Sequence, residues 1–247
     1  TISKLNNYIE QGVADKIIQM AEAPHEKKFA AIADEIAKHR DKIKLVLIAG
    51  PSSSGKTSST QRISIQLAVN GIRPIPISMD DYYVNRVDTP RKPNGDYDFE
   101  TVDAIDLELF NAHLKRLLNG ERVKIPKYNF QTGLREYRGN ELQLTENSVL
   151  LVEGIHGLND KLTAAIPAEN KIKIYVSALI PLAFDQYNRI NTTDVRLLRR
   201  MVRDSQFRSH DAVETLKRWP DVREGEEKYI FPFQCSADVI MNTNLIY

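Results

Sequence analysis

The sequence predicts a parallel α/β fold of five strands flanked by helices, with a small β-hairpin insertion and an N-terminal helical extension. Three observations predict it. Short apolar runs at 44–49, 73–78, 148–153, 172–177 and 237–241 alternate with helical stretches at 56–69, 104–118, 181–190, 194–206 and 210–217, the pattern of a sheet covered on both faces. Asn70-Gly71 and Asn119-Gly120 stop the helices before them, since Gly takes a left-handed cap without steric cost. The first apolar run, Leu45 to Ala49, leads straight into GPSSSGKTS, Gly50 to Ser58, a glycine- and serine-rich loop that opens the next helix.

Composition agrees with this architecture. The 247 residues suffice for one large domain plus an extension, and 42% hydrophobic with 27% charged residues is normal for a globular chain with a proper core. Lys and Arg number 34 against 33 Asp and Glu, a formal charge of +1, so no general polyanion-binding surface is implied and a nucleic-acid partner is unsupported. No apolar run reaches the roughly 18 residues of a membrane span, and the N-terminus is unlike a signal peptide. The single Cys235 cannot form an internal disulfide, which fits a reducing cytoplasm, and it reads as a small buried apolar residue. The chain opens at Thr1 without methionine and stops just after an apolar segment, so a longer parent with upstream domains is expected. Homo-oligomerisation stays open.

Residues 1–42 read as an extension or linker of two helices broken near Pro24, the second carrying Phe29, Ile32, Ala33 and Ile36 at helical spacing. Residues 43–247 form the main domain. In its first loop Gly50, Gly55, Lys56 and Thr57 hold the fixed places of G-x-x-x-x-G-K-[ST]. Small residues at Gly50, Ser52, Ser53, Ser54 and Gly55 let the backbone curl so that successive N–H groups face phosphate oxygens. Lys56 adds charge for the outer phosphates, the Thr57 hydroxyl can ligate magnesium, and Ser58 follows in a helix whose positive end lies under the same anion. The expected cofactors are ATP and Mg²⁺.

After the second strand comes SMDDYY, Ser78 to Tyr83. Asp80 and Asp81 suit a base that takes the proton of an attacking hydroxyl, and equally a helix N-cap or turn. The third strand ends in Glu153, placed to anchor magnesium directly or through water, a solvated strand end being the alternative. Between them, Val123 to Tyr137 reads as a hairpin turning at Gly133, with Tyr128 and Phe130 available either to a planar ligand or to packing. In Asp194 to Arg208, at about 100° per residue, Arg196, Arg199, Arg200 and Arg203 share one face and Leu197, Leu198, Met201 and Val202 the other. The apolar face should hold this helix while the arginine face closes over ATP as a lid; a solvated or nucleic-acid-binding basic face is the alternative.

Taken in order, GPSSSGKTS, SMDDYY, YDFETVDAID, IPKYNF, LLVEGIHGL and TTDVRLLRRMVRD resemble the uridine kinase and phosphoribulokinase family from Lys44 to Asn242. The resemblance implies a P-loop NTPase of nucleoside-monophosphate-kinase-like fold that uses ATP and magnesium to phosphorylate a sugar-like hydroxyl. By position it implies Asp80 as the catalytic base, assisted by Lys56 and Arg199, with Arg200 and Arg203 on ATP. It further implies Tyr83 near the substrate, Asp103 on ribose hydroxyls, Tyr128 beside the base, and Arg196 with Arg199 as lid and substrate arginines. There is one departure. Uridine-cytidine kinases carry a base-reading histidine shortly after the Tyr-x-Phe stretch, whereas Gln131 to Leu134 has none and Gly133 stands near its place. The helical N-terminus resembles the linker of longer bacterial kinase-like proteins whose upstream domains are similar to those of threonyl-tRNA synthetase.

The expectation is a cytoplasmic ATP-dependent small-molecule kinase acting on the 5′-hydroxyl of a nucleoside such as uridine or cytidine. A phosphorylated sugar or pantothenate as acceptor, and an ATP-binding switch or RNA-associated module, are the competing readings. A phosphorylated acceptor needs a second cationic cluster, and only Arg86, Arg91 and Lys92 offer one apart from the lid.

Overall fold

In the computed structural model, which describes residues 1–208 and 211–247, the chain opens with helices α1 (Ile2–Glu10) and α2 (Ala14–Lys38). The break between them falls at residues 11–13, where Gly12 has a φ of 71°, and not near Pro24, which lies inside α2. A proline removes one helical hydrogen bond, but Phe29, Ile32, Ala33 and Ile36 beyond it are buried and hold that half of α2 on the sheet.

Strand β1 (Leu45–Ala49) is buried throughout and runs into helix α3 (Lys56–Val69). Then follow β2 (Arg73–Ser78), helix α4 (Leu107–Leu118), and four short strands: β3 (Val123–Lys124), β4 (Lys127–Asn129), β5 (Leu134–Glu136) and β6 (Glu141–Leu142). Helix α4 starts three residues later than expected, because the Asp106 carboxylate accepts from the Leu109 N–H at 2.9 Å and sets the cap there. The expected hairpin consists of two antiparallel pairs, β4 with β5 around Gly133 and, below it, β3 with β6. The chain continues through β7 (Ser148–Glu153), β8 (Lys171–Ser177), helices α5 (Thr192–Phe207) and α6 (Ala212–Tyr229), and β9 (Val239–Asn242).

The large sheet has the order β2-β7-β1-β8-β9, parallel in every pairing. Alternation along β1 divides its core. Leu45 and Leu47 pack with Phe110, Leu114 and Leu117 of α4 on one face, while Val46 and Ile48 pack with α2 and α3 on the other. The chain leaves β1 for one side of the sheet and later fills the other, so the end of β1 is the switch point where a crevice opens.

Two further expectations fail and one helix differs in its bounds. Residues 181–190 are not helical: the Asp185 carboxylate accepts from the Tyr187 and Asn188 N–H groups at 2.8 and 2.7 Å, offering the backbone a turn instead. The helix expected at 210–217 begins at Ala212 behind a capping box of Asp211 and Glu214 and runs on to Tyr229; position 210 lies outside the described residues. Cys235 is exposed on a 3-10 turn and not buried.

Candidate active site

The loop between β1 and α3 is fixed by sterics at its first residue. A Cβ on Gly50 would sit 2.0 Å from the Val176 carbonyl oxygen, so nothing larger fits beside β8. Ser53 and Gly55 take positive φ values of 57° and 94°, giving the curl that turns N–H groups inward. The Ser53 and Ser54 hydroxyls are buried without a hydrogen-bond partner among the described residues. An oxygen-rich anion in the loop would satisfy them.

Lys56 Nζ donates to the Gly50 and Pro51 carbonyls at 3.0 and 3.1 Å. Desolvation lowers its pKa to about 8, against the pull of Asp80 and Glu153. The Thr57 hydroxyl donates to Glu153 Oε1 at 3.1 Å, so the two expected magnesium ligands meet. Burial raises the Glu153 carboxyl pKa, and the Thr57 hydrogen bond and the Lys56 charge oppose it. This donor set fits Mg²⁺, which takes one or two protein oxygens and fills its octahedron from phosphates and water. Ser58 lies exposed in the first turn of α3.

The structure separates the two adjacent aspartates. Asp81 is buried and accepts from Lys127 Nζ at 3.1 Å and from the Tyr128 N–H at 3.3 Å, anchoring the hairpin. The half-buried Asp80 carboxylate has no hydrogen bond or ion pair among the described residues and stands in the field of Lys56 and Glu153. That is the arrangement of an available base.

Glu100, which lies in the YDFETVDAID stretch but has no role implied by the resemblance, belongs to the same cluster. It packs against Gly225 of α6, where an added Cβ would meet its own Cβ at 2.4 Å. Desolvation raises its pKa to about 7, with Arg200 and Lys56 opposing and Glu226 and Asp80 assisting. Asp103, expected on sugar hydroxyls, is exposed on the following 3-10 turn and makes no side-chain hydrogen bond among the described residues. Tyr83 joins the two halves of the site. Its hydroxyl donates to the Phe99 carbonyl at 3.3 Å, its ring lies 5.6 Å from that of Tyr128, and Asp80 and Glu100 both act on it. The Tyr128 and Phe130 rings meet edge to face at 5.2 Å, so they pack against each other and do not lie parallel as the walls of a flat slot.

The arginine face of α5 lies on the loop, and it, not the apolar face, holds the helix. Arg196 is 1% exposed and pairs with the buried Glu226 of α6, Nη2 to Oε2 at 2.8 Å, instead of reaching a substrate. Its Nη1 donates to the Ser52 carbonyl at 3.1 Å, and the Ser52 N–H donates to Glu226 Oε1 at 3.1 Å. Arg200 Nη1 donates to the Ser52 hydroxyl at 2.8 Å and Arg199 Nε to the Ser53 carbonyl at 3.1 Å. Arg203 is held by Asp204 through Nε at 2.9 Å. The arginine face thus holds α5 on the loop, while Leu198 and Val202 of the expected holding face are 60% and 58% exposed. Charge-assisted bonds to loop carbonyls and buried carboxylates outweigh two exposed aliphatic side chains. Glu226 carried no signal in the sequence: Arg223 beside it reads as an ordinary i,i+3 helix pair, and Ser52 and Arg196, which bring it to the site, lie 174 and 30 residues away.

A family model described as "Phosphoribulokinase / Uridine kinase family" matches residues 45–244. The chain is 34% identical over 180 residues to the uridine kinase of Schizosaccharomyces pombe, covering 72% of this chain and only 35% of that protein's length. It is 31% identical over 206 residues to the uridine kinase of Macrococcus caseolyticus and 27% over 195 residues to that of Deinococcus deserti, covering 81% and 78% of this chain and 88% and 84% of theirs. Among solved structures, a D-glycerate 3-kinase from Cryptococcus neoformans superposes with a TM-score of 0.51 at 16% identity, covering 90% of this chain and 91% of that one. The YGR205w protein superposes with a TM-score of 0.54 at 14% identity, covering 98% and 96%. At such identities the structural likeness speaks for the fold.

Proposed function

The chain belongs to the phosphoribulokinase and uridine kinase family and is a phosphotransferase to a hydroxyl group; from that premise we propose that it transfers the γ-phosphoryl group of ATP to the primary hydroxyl of a nucleoside such as uridine or cytidine. One observation carries this reading: Asp80 stands unpaired beside a finished phosphate loop, while its neighbour Asp81 is tied to the hairpin.

Residues 50–57 hold the triphosphate, and Thr57 with Glu153 holds the magnesium ion. Bound Mg-ATP supplies the phosphoryl group and the electrophilic phosphorus. Asp80 orients the acceptor hydroxyl and takes its proton as the new O–P bond forms in line with the departing ADP oxygen. Lys56, with Arg199 and Arg200, neutralises charge spreading over the transferring group. Glu100 and Tyr83 line the acceptor side, and Asp103 stands at its solvent rim. Tyr128 and Phe130 receive the planar part of the acceptor. The alternative of an ATP-binding switch leaves the free carboxylate at Asp80 without a task.

The test is ADP release by the purified chain with Mg-ATP against nucleosides, phosphorylated sugars and pantothenate, beside a no-acceptor control. Acceptor-dependent ADP is expected, falling about 10²-fold or more in Asp80→Asn with ATP affinity kept within a few-fold. ADP release indifferent to every acceptor, or unchanged turnover in Asp80→Asn, overturns the reading.

A further inference from the structure

Gly133, at the turn of the hairpin, has a φ of 73°, and a Cβ there would lie 2.8 Å from both Cβ and Nε of Arg86. The absent side chain is the space in which the Arg86 guanidinium sits. Backbone bonding fixes the pair, since the Arg86 N–H donates to the Gly133 carbonyl at 2.8 Å. From that seat Nη2 donates to the Phe130 carbonyl at 2.7 Å, and the Arg86 charge opposes the burial that raises the Tyr128 hydroxyl pKa. A guanidinium has five N–H donors and no acceptor, so donors remain after the Phe130 bond. Arg86 therefore lies beside the aromatic group of Tyr83, Tyr128 and Phe130. On the far side Arg208 stacks over the Phe130 ring, its guanidinium carbon 5.2 Å from the centroid.

The carboxylates of Asp80 and Glu100 act on the Tyr83 side of this group, and the cations around it differ in how they are paired. Other hairpin cations have carboxylates of their own: Lys127 has Asp81, Arg135 has Asp106 at 2.8 Å, and Arg138 has Glu136 at 2.9 Å. Arg86 has none among the described residues, and Arg208 shares Asp204 with Arg200 and Arg203. The other two candidate cations are spent. Lys92 is paired with Asp221 and Glu224 at 2.7 and 3.1 Å, and Arg91 stacks on Tyr97 while donating to the Gly95 carbonyl at 2.7 Å.

We infer that Arg86, housed by Gly133, is the specificity-determining residue of the acceptor site, and that it selects an acceptor whose end remote from the phosphorylated hydroxyl bears a carboxylate. A planar carboxylate matches the guanidinium fork, and a charge-assisted pair is about twice as strong as a neutral hydrogen bond. The inference rests on the phosphotransferase reading and chooses among its acceptors; the carboxylate can sit on a nucleoside base or on an open sugar acid.

Binding separates it from turnover. Calorimetry on the full chain, saturated with Mg²⁺ and a non-hydrolysable ATP analogue so that the loop is filled, compares uridine, uridine bearing a 5-carboxylate, a sugar acid and a sugar phosphate. The expected result is about 10- to 100-fold tighter binding of the carboxylated compounds than of uridine, lost in Arg86→Met, partly kept in Arg86→Lys, and reduced in Gly133→Ala. Affinity for the ATP analogue is retained in each variant, which also reports that the chain is folded. Uridine binding as tightly as its carboxylate, tightest binding by the sugar phosphate, or an Arg86→Met variant that discriminates like wild type, each overturns the inference. Carboxylate binding without ADP release in the separate assay overturns only the turnover reading.

Discussion

Lys56 carries the plainest consequence at the scale of single residues. In the free loop its ammonium is desolvated to a pKa of about 8, whereas phosphate oxygens in the loop favour the charged form and raise it. Nucleotide binding at pH 8 should therefore take up about half a proton, fading to none about two units lower. Calorimetry in two buffers of different ionisation enthalpy reads this directly, and Lys56→Met should abolish it. The residues of the loop were legible in the sequence because their chemistry is local. The choice between Asp80 and Asp81 was not, since the two are chemically identical neighbours and are told apart by Lys127 and Tyr128, 46 and 47 residues away. Glu226 stayed hidden for the same reason, and Glu100, although inside the YDFETVDAID stretch, gained a role only from its proximity in the fold.

At the scale of elements, the periodicity of α5 was readable but the face that holds it in place was not. A hydrophobic count turns Leu198 and Val202 inward, yet the groups facing α5 are the Ser52 and Ser53 carbonyls and the Glu226 carboxylate, and these select arginine. The Arg196–Glu226 pair is the joint between α5, α6 and the loop. Glu226→Gln leaves a buried guanidinium short of charge and should cost about 3–5 kcal/mol of stability, read as a lower urea midpoint. Because Glu226 also holds the Ser52 N–H, ATP affinity should weaken in the same variant. A variant as stable and as tight for ATP as wild type would show that the joint holds nothing. The inner strands β1, β7 and β8 were recovered because they are nearly continuous buried runs in a doubly covered sheet, while residues 181–190 were misread because one aspartate outcompetes the helix there.

For the molecule as a whole, acid stability hangs on groups buried between elements. His156, 1% exposed and lying edge-on to Tyr229 of α6, is pushed by burial from 6.5 down to about 4. Between those values the unfolded chain binds a proton that the folded chain refuses, so this histidine costs stability as pH falls from 6.5 towards 4. Glu100, raised from 4.5 to about 7, acts in the opposite sense, stabilising the fold as pH falls through 7 towards 4.5. His156→Gln isolates the first contribution: relative to wild type it should gain stability below pH 6.5 in urea unfolding, and parallel curves would remove His156 from that role. The loop at the centre of the molecule also imposes an order in time. Ser52 is held by partners 144 and 174 positions further along, and Ser54 by Thr243, 189 positions on. At about 5–20 residues per second of synthesis, Glu226 follows Ser52 by roughly 9 to 35 seconds. A nascent chain thus displays its nucleotide signature long before it can grip a nucleotide, and through that interval the signature is an unsupported loop that nucleotide cannot help to fold.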